Sequence, residues 1–376
     1  MDSLTISRKS EEFDFIYDIV WTRGFDSLPA CLSTLGLKSE KICIVTDSNV
    51  AGLYLDDVRQ PLSAAGYQIY DHIFPAGEES KHLDTISGIY DFLIRNHFER
   101  KDLLIALGGG VTGDMTGFAA ATYLRGIDFI QVPTTLLAQV DSSVGGKTGV
   151  DFRQFKNMVG AFCQPRLVYM NTDTLKTLPN DQFSSGIGEV IKTALIRDAG
   201  LFRQISKKRE EILSRDPDTL ENVIRSCCCI KAAVVEEDPK EKGIRAILNF
   251  GHTIGHALEK AMDFAMLHGS CVGFGMICAA KISRKRGYLT EDEMTEITDL
   301  CEYFGLPSCI PAGGGDCSGG VTAALGRQPD PHDILALTKS DKKMEKGHIR
   351  FILLKEIGNA VIDYTVTDEE ILDSMC

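Results

Sequence analysis

Short apolar runs alternate with helical segments through the first half of the chain. The runs KICIVTD, YQIYDHIFP, DLLIALGGG, FIQVPTT and LVYMN occupy residues 41–47, 67–75, 102–110, 129–135 and 167–171. Each run predicts a strand bounded by turn residues. Strands that alternate with helices are typical of a parallel sheet covered by helices, so the first half is expected to form an α/β domain.

The pattern changes from about residue 181 to longer amphipathic segments. They include SSGIGEVIKTALIRD, LENVIRSCCCIKAAVVEED, GHTIGHALEKAMDF and CVGFGMICAAKISRKRG. Their helical periodicity predicts a mainly helical second half. The last alternating stretch, GHIRFILLKEIGNAVIDYTV, predicts a small hairpin around its Gly-Asn pair. A chain of 376 residues is longer than one core usually supports, so we expect two domains, residues 1–180 and 181–376.

Composition narrows the functions that this architecture can serve. Fifty-three acidic against 40 basic residues give a net charge of −13, which argues against nucleic-acid binding. The sequence has no secretory leader and no apolar run near the roughly 20 residues that span a bilayer, so we expect a cytoplasmic protein with no membrane partner. The 12 cysteines include no CxxC pair, and Cys227, Cys228 and Cys229 cannot easily pair among themselves, so reduced thiols are expected.

A glycine cluster follows the third apolar run. In LLIALGGGVTGDMTG the run leads into Gly108, Gly109 and Gly110 and then into a helical segment. Glycines let the backbone approach an anion, and the N–H groups that begin a helix favour negative charge, which suits a pyrophosphate. The segment is not the GxGxxG fingerprint, and the alternative is a tight turn without a ligand.

A second segment, VDSSVGGKTGVDFRQFKNMVG, combines glycines with cations. It fails the Walker pattern because Asp141 occupies the position of the first glycine. Lys147, Lys156 and Asn157 predict a loop suited to oxyanions, since lysine supplies charge and asparagine supplies hydrogen bonds. The alternative is a solvated basic turn.

The third segment, RAILNFGHTIGHALE, places His252 and His256 four residues apart on one helical face. Spacing alone favours this pair as metal ligands. Other candidates are Glu189, which lies one helical turn before Lys192, and His268 in LHGSCVG. Imidazole and carboxylate together suit zinc or another divalent ion, and three protein ligands leave positions for substrate or water.

Together these segments resemble the 3-dehydroquinate synthase family of sugar phosphate cyclases, over about residues 41–355. The matching pieces are PAGEESK, GGGVTGD, RGIDFIQVPTTLLAQVDSSVGGKTG, KNMVGAF, GEVIKTALI, NFGHTIGHALE, LHG and DKKMEKGHIRFILL. The resemblance implies a Rossmann-like NAD-binding domain followed by an α-helical metal- and substrate-binding domain. It also implies an active site in the cleft between the domains, and a homodimer.

The resemblance further implies an activity and its cofactors. The reaction would convert 3-deoxy-D-arabino-heptulosonate 7-phosphate to 3-dehydroquinate and phosphate, a lyase step of the shikimate pathway toward aromatic amino acids. The cofactors would be NAD, oxidising and reducing the substrate in turn, and one divalent metal, zinc or cobalt.

The resemblance assigns individual residues to three sites. The implied metal ligands are Glu189, His252 and His268. The implied catalytic residues are His256, Lys147, Lys192, Asn157 and Arg245. The implied substrate contacts are Arg125, Lys147, Lys156, Asn157, Lys192, Lys231, Arg245, Asn249, His256 and Lys343, with Lys342 as the alternative to Lys343. The implied NAD contacts are Asp47, Asn49, Glu78, Lys81, Gly109, Gly110, Asp114, Thr134, Thr135, Asp141, Lys147, Lys156 and Thr177.

Two departures from the family pattern affect residues near these sites. Asp181 and Gln182 replace a common Arg-Glu pair, and Ser270 follows the LHG motif where the family usually has Glu. Neither removes an implied ligand, but both alter the neighbours that orient ligands.

Three other functions compete with this interpretation. A related cyclase of secondary metabolism would act on sedoheptulose 7-phosphate or an amino analogue of the usual substrate. Arg245, Lys231 and Asn249 favour a substrate with a carboxylate, since they would otherwise leave positive charge unpaired. A polyol dehydrogenase with NAD and a metal would release NADH. The last alternative is a binding or scaffold protein that keeps the fold without the activity.

Overall fold

The computed structural model describes residues 2–8, 15–37, 39–153, 155–310, 328–339, 344–345 and 348–376. The chain divides into two compact units, Met1–Leu178 and Pro179–Cys376. Among the helices of the described ranges, none combines the length and the apolar character that crossing a bilayer requires.

The first unit is built on a sheet of mostly parallel strands. Its strands are β1 (Ser3–Arg8), β2 (Phe15–Thr22), β3 (Lys41–Asp47), β4 (Gln68–Phe74), β5 (Leu103–Gly108), β6 (Asp128–Pro133), β7 (Lys147–Phe152), β8 (Phe155–Phe162) and β9 (Leu167–Asn171). Within the described residues, seven strands form one sheet in the order β1-β2-β9-β6-β5-β3-β4. The strand β1 runs antiparallel to β2, and the other neighbours are parallel. The predicted α/β class is confirmed, with an antiparallel edge strand that the pattern did not predict.

Helices cover both faces of this sheet. They are α1 (Leu28–Thr34), α2 (Ser48–Ala64), α3 (Leu83–Arg95) and α4 (Gly110–Thr122). Successive residues of β3 point to opposite faces: Ile42 packs in the core that includes Val58 of α2, and Cys43 packs in the core that includes Ile86 of α3. Burial on both faces explains why the run KICIVTD is apolar without alternation.

The segment that the sequence predicts as a loop is instead a hairpin of β7 and β8, so that prediction is wrong. Lys147 pairs with Phe162, and Gly149 pairs with Gly160. A Cβ on Gly149 would lie only 2.6 Å from the backbone of the opposite strand, so glycine allows the strands to approach. The lysines and glycines made this segment look like a loop, although Thr148, Gly149 and Val150 of β7 form a continuous buried run.

The second unit is mainly helical, as predicted. Its helices are α5 (Asn180–Arg197), α6 (Ala199–Lys207), α7 (Arg209–Leu213), α8 (Pro217–Glu237), α9 (His252–Ala261), α10 (His268–Lys285), α11 (Glu291–Tyr303), α12 (Pro331–Thr338) and α13 (Asp368–Ser374). Its strands are β10 (Met344–Glu345), β11 (His348–Ile349), β12 (Phe351–Glu356) and β13 (Asn359–Asp363). The strands β12 and β13 form the predicted hairpin, with Gly358 at positive φ in its turn. On α8, Cys227 and Cys228 are buried, Cys229 is exposed, and none of the three forms a disulfide.

Glycines bring α10 into backbone contact with both α5 and α9. A Cβ on Gly188 of α5 would lie 2.6 Å from the Gly269 carbonyl oxygen, and a Cβ on Gly255 of α9 would lie 2.9 Å from the Cys271 carbonyl oxygen. A larger residue at either position would force the helices apart. The absence of side chains at these crossings therefore lets the start of α10 approach the inner faces of α5 and α9.

Arg286, just after α10, forms hydrogen bonds with the C-terminal segment of the chain. Its guanidinium donates to both carboxylate oxygens of Glu370 at 2.7 Å and to Oδ2 of Asp363 at 2.9 Å. The hydrogen bonds from Arg286 lower the pKa of Glu370 to about 2, against the smaller opposing effect of burial. The fork of Arg286 fits a carboxylate with two parallel hydrogen bonds, which makes this contact stronger than a simple surface pair.

We expect Arg286→Met to lower the free energy of unfolding by about 2 kcal/mol at neutral pH, because two carboxylates lose charged hydrogen bonds. The folded-state pKa of Glu370 lies below its unfolded value of about 4.5, so this stabilisation is present above that pH and is lost as the pH falls toward 2. Urea midpoints of wild type and variant should therefore converge as the pH falls from about 5 to about 3. Lys285→Met, which removes an exposed pair with Asp373, is the control and should change little. An equal loss in both variants would contradict the assignment.

Candidate active site

Glu189, His252 and His268 converge in the second unit. Glu189 lies on α5, His252 begins α9 and His268 begins α10. Oε1 of Glu189 lies 3.6 Å from Nε2 of His252 and 3.7 Å from Nε2 of His268. A tetrahedral zinc ion with bonds of about 2.1 Å separates its ligands by about 3.4 Å, so this spacing fits one divalent cation.

The other nitrogen of each imidazole contacts a protein oxygen. Nδ1 of His252 lies 3.2 Å from the carbonyl oxygen of Phe250, and Nδ1 of His268 lies 3.5 Å from Oε2 of Glu259. When Nδ1 carries the proton and donates it to an oxygen, Nε2 keeps its lone pair for a metal. With Nδ1 of each ring held by these contacts, both Nε2 atoms face Oε1 of Glu189.

Carboxylates surround His268 and make its position attractive to positive charge. Burial lowers the pKa of His268, but hydrogen bonds to Glu189 and Glu259 outweigh this effect and raise the pKa to about 9. On α5, Lys192 donates to Oε2 of Glu189, and both side chains are only 1% exposed. The contact with Lys192 leaves Oε1 as the oxygen of Glu189 that faces the two histidines.

His256 lies beside this cluster. Its ring centroid is 5.2 Å from that of His252 and 5.6 Å from that of His268. One nitrogen from each of the three histidines lies within 4.8 Å of the others. The structure thus brings together both the pair that spacing favours and the set that the resemblance implies. The distances from Oε1 of Glu189 to both Nε2 atoms keep Glu189 a candidate for the third ligand beside His256.

The other candidate substrate contacts of the second unit are cations and an amide on neighbouring elements. Lys231 and Arg245 are only 6% and 2% exposed. Arg245 donates to the carbonyl oxygen of Pro239 at 2.6 Å, and Asn249 donates to Oε1 of Glu241 at 2.6 Å. Buried cations of this kind are uncommon outside ion pairs and binding sites. Lys342 and Lys343 lie outside the described residues.

Both departures from the family pattern lie at helix starts. Asp181 and Gln182 are in the first turn of α5, and Ser270 is in the first turn of α10. The Ser270 N–H donates to the carbonyl oxygen of Leu267 at 3.0 Å. Ser270 therefore helps to form the helix start that carries His268.

In the first unit, the glycine cluster joins β5 to α4 as the sequence predicts. Gly109 is the N-cap residue of α4, and a Cβ on Gly108 would overlap the side chain of Thr112. Asp47 ends the adjacent strand β3 and accepts hydrogen bonds from the N–H groups of Asn49 at 2.9 Å and Val50 at 3.0 Å. Carboxyl ends of neighbouring parallel strands are the usual place for a dinucleotide, and the candidates lie there together.

A second group of candidates surrounds the buried ammonium of Lys81. Its Nζ lies 2.7 Å from Oδ2 of Asp114 on α4 and 2.7 Å from Oδ1 of Asn157 on β8. Burial alone lowers the pKa of Lys81, but the nearby carboxylates, Asp114 first, raise it overall. Lys156 lies 3.5 Å from Oε1 of Glu78. The structure therefore brings candidate NAD contacts and candidate substrate contacts into one hydrogen-bonded group.

The remaining candidates of the first unit occupy the turns after the strands. The Thr134 N–H donates to the carbonyl oxygen of Gly108 at 3.0 Å, and Thr135 Oγ1 accepts from the Ala138 N–H at 3.2 Å. Asp141 lies in a π-helical turn, Ala138–Ser142, and Thr177 contacts the hydroxyl of Tyr54. Lys147 is exposed at the first position of β7.

Arg125 is not brought to these turns. It lies between the end of α4 and the start of β6, with φ of 67°. Because α4 has 13 residues, its two ends are about 20 Å apart. Arg125 therefore lies at the amino edge of the sheet, opposite the glycine turn.

The geometry of both units agrees with comparisons to known proteins. The N-terminal 3-dehydroquinate synthase family profile matches residues 71–185, and the C-terminal profile matches residues 186–344. The chain belongs to the 3-dehydroquinate synthase family. A 3-dehydroquinate synthase from Pelobacter propionicus is 42% identical over 377 residues, covering 99% of this chain and 98% of the relative.

Two solved structures show the same fold in other cyclases. The 2-epi-5-epi-valiolone synthase ValA from Streptomyces hygroscopicus subsp. jinggangensis 5008, with NAD+ and Zn2+ bound, has a TM-score of 0.86 and 27% identity and covers 98% of both chains. A 2-deoxy-scyllo-inosose synthase complexed with carbaglucose-6-phosphate, NAD+ and Co2+ has a TM-score of 0.85 and 26% identity. It covers 100% of this chain and 99% of its own.

The sequence analysis missed two acidic residues that contact candidate site residues of the 3-dehydroquinate synthase family. Glu259 lies seven residues after His252 on α9, and this two-turn spacing could have indicated a shared face. Asp151 contacts Asn157 across the β7–β8 hairpin, and a segment interpreted as a loop carried no signal for that contact.

Proposed function

We propose that this chain acts as a 3-dehydroquinate synthase on 3-deoxy-D-arabino-heptulosonate 7-phosphate, with NAD and one divalent metal. The observation that carries the proposal is 42% identity to a named 3-dehydroquinate synthase over almost the whole chain. The two cyclases of other substrates are only 27% and 26% identical. The substrate of the named relative is therefore the better assignment.

The cofactor proposal rests on the donor atoms in the second unit and on the solved relatives. One carboxylate oxygen and two imidazole nitrogens within 3.6–3.7 Å suit zinc or cobalt. The ValA structure contains NAD+ and Zn2+, and the inosose synthase structure contains NAD+ and Co2+. We assign NAD to the carboxyl edge of the first unit, at Asp47, Gly109 and the Lys81 group.

The residues of this chain would bind and orient the substrate. Lys147, Lys156 and Asn157 would hold the phosphate, because cations and amide N–H groups bind oxyanions. The buried Arg245 and Lys231 would hold the carboxylate. When bound, NAD accepts and returns a hydride, and the metal supplies Lewis acidity toward the substrate hydroxyls.

Proton transfer would fall to His256. Its ring centroid lies 5.2 Å from that of His252. If Glu189, His252 and His268 bind the metal, His256 remains available to the substrate. An imidazole can take a proton from a substrate hydroxyl and return it later. The leaving phosphate would act on the neighbouring C–H with its own oxygens, so elimination would require positioning rather than another side chain.

We assign residues 1–180 as the NAD-binding domain and residues 181–376 as the metal- and substrate-binding domain, because the glycine turn lies in the first and the cluster of Glu189, His252 and His268 lies in the second. A homodimer is part of the proposal because Arg125 lies at the sheet edge opposite the nucleotide turn and is suited to a partner subunit. A cytoplasmic location is also proposed, because NAD and sugar phosphates are metabolites of that compartment.

The proposal is tested by supplying 3-deoxy-D-arabino-heptulosonate 7-phosphate with NAD and Zn2+ or Co2+, and measuring phosphate release and NADH absorbance together. Phosphate release that needs both cofactors, without accumulation of NADH, is expected. Stoichiometric NADH would identify a polyol dehydrogenase. Turnover of sedoheptulose 7-phosphate instead would identify a cyclase of secondary metabolism.

Glu259→Gln should weaken metal binding about 10–100-fold, the usual effect of removing an outer carboxylate from a metal-binding histidine. The amide keeps the size of the side chain but loses the negative charge that favours the Nδ1–H form of His268. Metal affinity is measured by competition with a coloured chelator, independently of activity. Glu296→Gln, at an exposed position of α11, is the control and should bind metal like wild type. Unchanged affinity in Glu259→Gln would show that Glu259 serves only packing.

A further inference from the structure

Asp151 lies at an irregularity in the β7–β8 hairpin and contacts both a candidate NAD residue, Lys81, and a candidate substrate residue, Asn157. The pairing register shifts between Val150 and Phe152, so Asp151 is released from the regular ladder. Its N–H donates to the carbonyl oxygen of Lys81 at 2.8 Å, and its Oδ1 accepts from the N–H of Asn157 at 2.7 Å. Asp151 therefore links the segment that ends at Lys81 to the strand that carries Asn157.

The contact with Asp151 holds Asn157 in an uncommon conformation. The φ of Asn157 is 53°, in the left-handed region that residues other than glycine seldom adopt. Such a conformation persists only where the surroundings hold it, and it occurs often at functional sites. At the other end of the residue, Lys81 Nζ donates to Asn157 Oδ1 at 2.7 Å. The amide oxygen is thereby occupied, and the amide N–H groups are directed away from the ammonium.

We propose that Asp151 is a positioning residue for the substrate phosphate, acting through Asn157. It fixes the backbone of Asn157 while Lys81 fixes the amide oxygen, so the exposed amide presents its N–H donors to an oxyanion. The proposal rests on the proposed function, since it takes Asn157 as a phosphate contact.

The negative charge of Asp151 argues that this residue positions Asn157 and does not bind the phosphate itself. A carboxylate next to an anion site repels the anion, so Asp151 contributes through its hydrogen bond and not through its charge. An asparagine at this position would keep an oxygen acceptor for the Asn157 N–H and remove the repulsion. An alanine would lose the acceptor and release Asn157 from the left-handed conformation.

The test compares Asp151→Ala with Asp151→Asn in the NAD- and metal-loaded enzyme. Asp151→Ala should raise KM for 3-deoxy-D-arabino-heptulosonate 7-phosphate about 10-fold and change kcat less than about 3-fold, a difference of about 1.4 kcal/mol in substrate binding. Asp151→Asn should stay within about 2-fold of wild type, given the size of one retained hydrogen bond. NAD affinity should be unchanged, because Lys81 keeps its contact with Asp114. Asp56→Ala, which removes an exposed carboxylate, is the control.

A double-mutant cycle with Asn157→Ala separates positioning from general destabilisation. Asp151→Ala should add little to the KM of Asn157→Ala if it acts only through Asn157. The proposal would be overturned if Asp151→Ala raised KM by the same factor in the Asn157→Ala background as in wild type. It would also be overturned if Asp151→Ala alone left KM within 2-fold of wild type.

Inorganic phosphate serves as a second probe that does not need turnover. Its dissociation constant from the NAD-loaded chain should rise about 10-fold in Asp151→Ala and return to the wild-type value in Asp151→Asn. A wild-type chain without synthase turnover would refute the proposed function. In that case the positioning role would still be supported if phosphate bound to the wild type and the two variants with this order of affinities, and it would be refuted if all three proteins bound phosphate alike.

Discussion

His268→Ala should lose bound metal and turnover together while the first unit stays folded and continues to bind NAD. Nε2 of His268 lies 3.7 Å from Oε1 of Glu189, and the raised pKa of about 9 shows how strongly the surrounding carboxylates attract positive charge. Removal of a metal ligand should lower metal affinity by more than the roughly 10–100-fold that follows from removing a residue that only contacts a ligand. Turnover should then fall below detection at ordinary metal concentrations.

The measurement is metal content after dialysis, together with NAD binding by fluorescence. His332→Ala is the matched control, because that histidine is exposed on α12 and should leave both quantities unchanged. Full metal content in His268→Ala would remove His268 from the ligand set. Loss of NAD binding along with metal would instead show that the variant disturbs the whole chain.

The sequence predicted the parts of the fold that follow from local patterns. The buried strand β3 contains an unbroken apolar run at residues 42–45, and the helix α9 repeats its apolar residues with helical period, so the sequence alone could predict both. The glycine turn after β5 was visible because a strand, three glycines and a helix follow one another directly. The β7–β8 hairpin was missed because its lysines and glycines dominate the pattern.

The candidate site was predicted less completely, because it depends on contacts between distant segments. Spacing within α9 could propose His252 with His256, but no spacing rule connects either residue to Glu189 on α5. The sequence could name Glu189 and His268 only as candidate companions of this pair, and the full set of Glu189, His252 and His268 came from the resemblance to a known family. The carbonyl oxygen of Phe250 and the carboxylate of Glu259 contact the histidines only in the folded chain. Neither contact could therefore be predicted from a single sequence motif.

The third metal ligand is either Glu189 or His256, and substitutions of these two residues are expected to have large and different effects on metal binding. Glu189→Gln should weaken metal binding by more than about 100-fold, because an amide oxygen is neutral and a poor ligand for zinc or cobalt. The amide can still accept from Lys192, so the buried ammonium keeps a partner and the fold should persist. His256→Ala should retain about one metal ion per chain and lose about 10²–10⁴-fold in kcat, the usual effect of removing a proton-transfer group.

The two variants together decide the ligand set. Metal content and kcat are measured for each, with cobalt substituted so that its visible absorption reports the ligand geometry. Loss of metal from His256→Ala, with retention in Glu189→Gln, would make the three histidines the ligands, since their nitrogens lie within 4.8 Å of one another. The buried pair of Glu189 and Lys192 would then serve the substrate rather than the metal. The opposite result would mean that Lys192, by binding one oxygen of Glu189, leaves the other to the metal and so links ligand geometry to the substrate pocket.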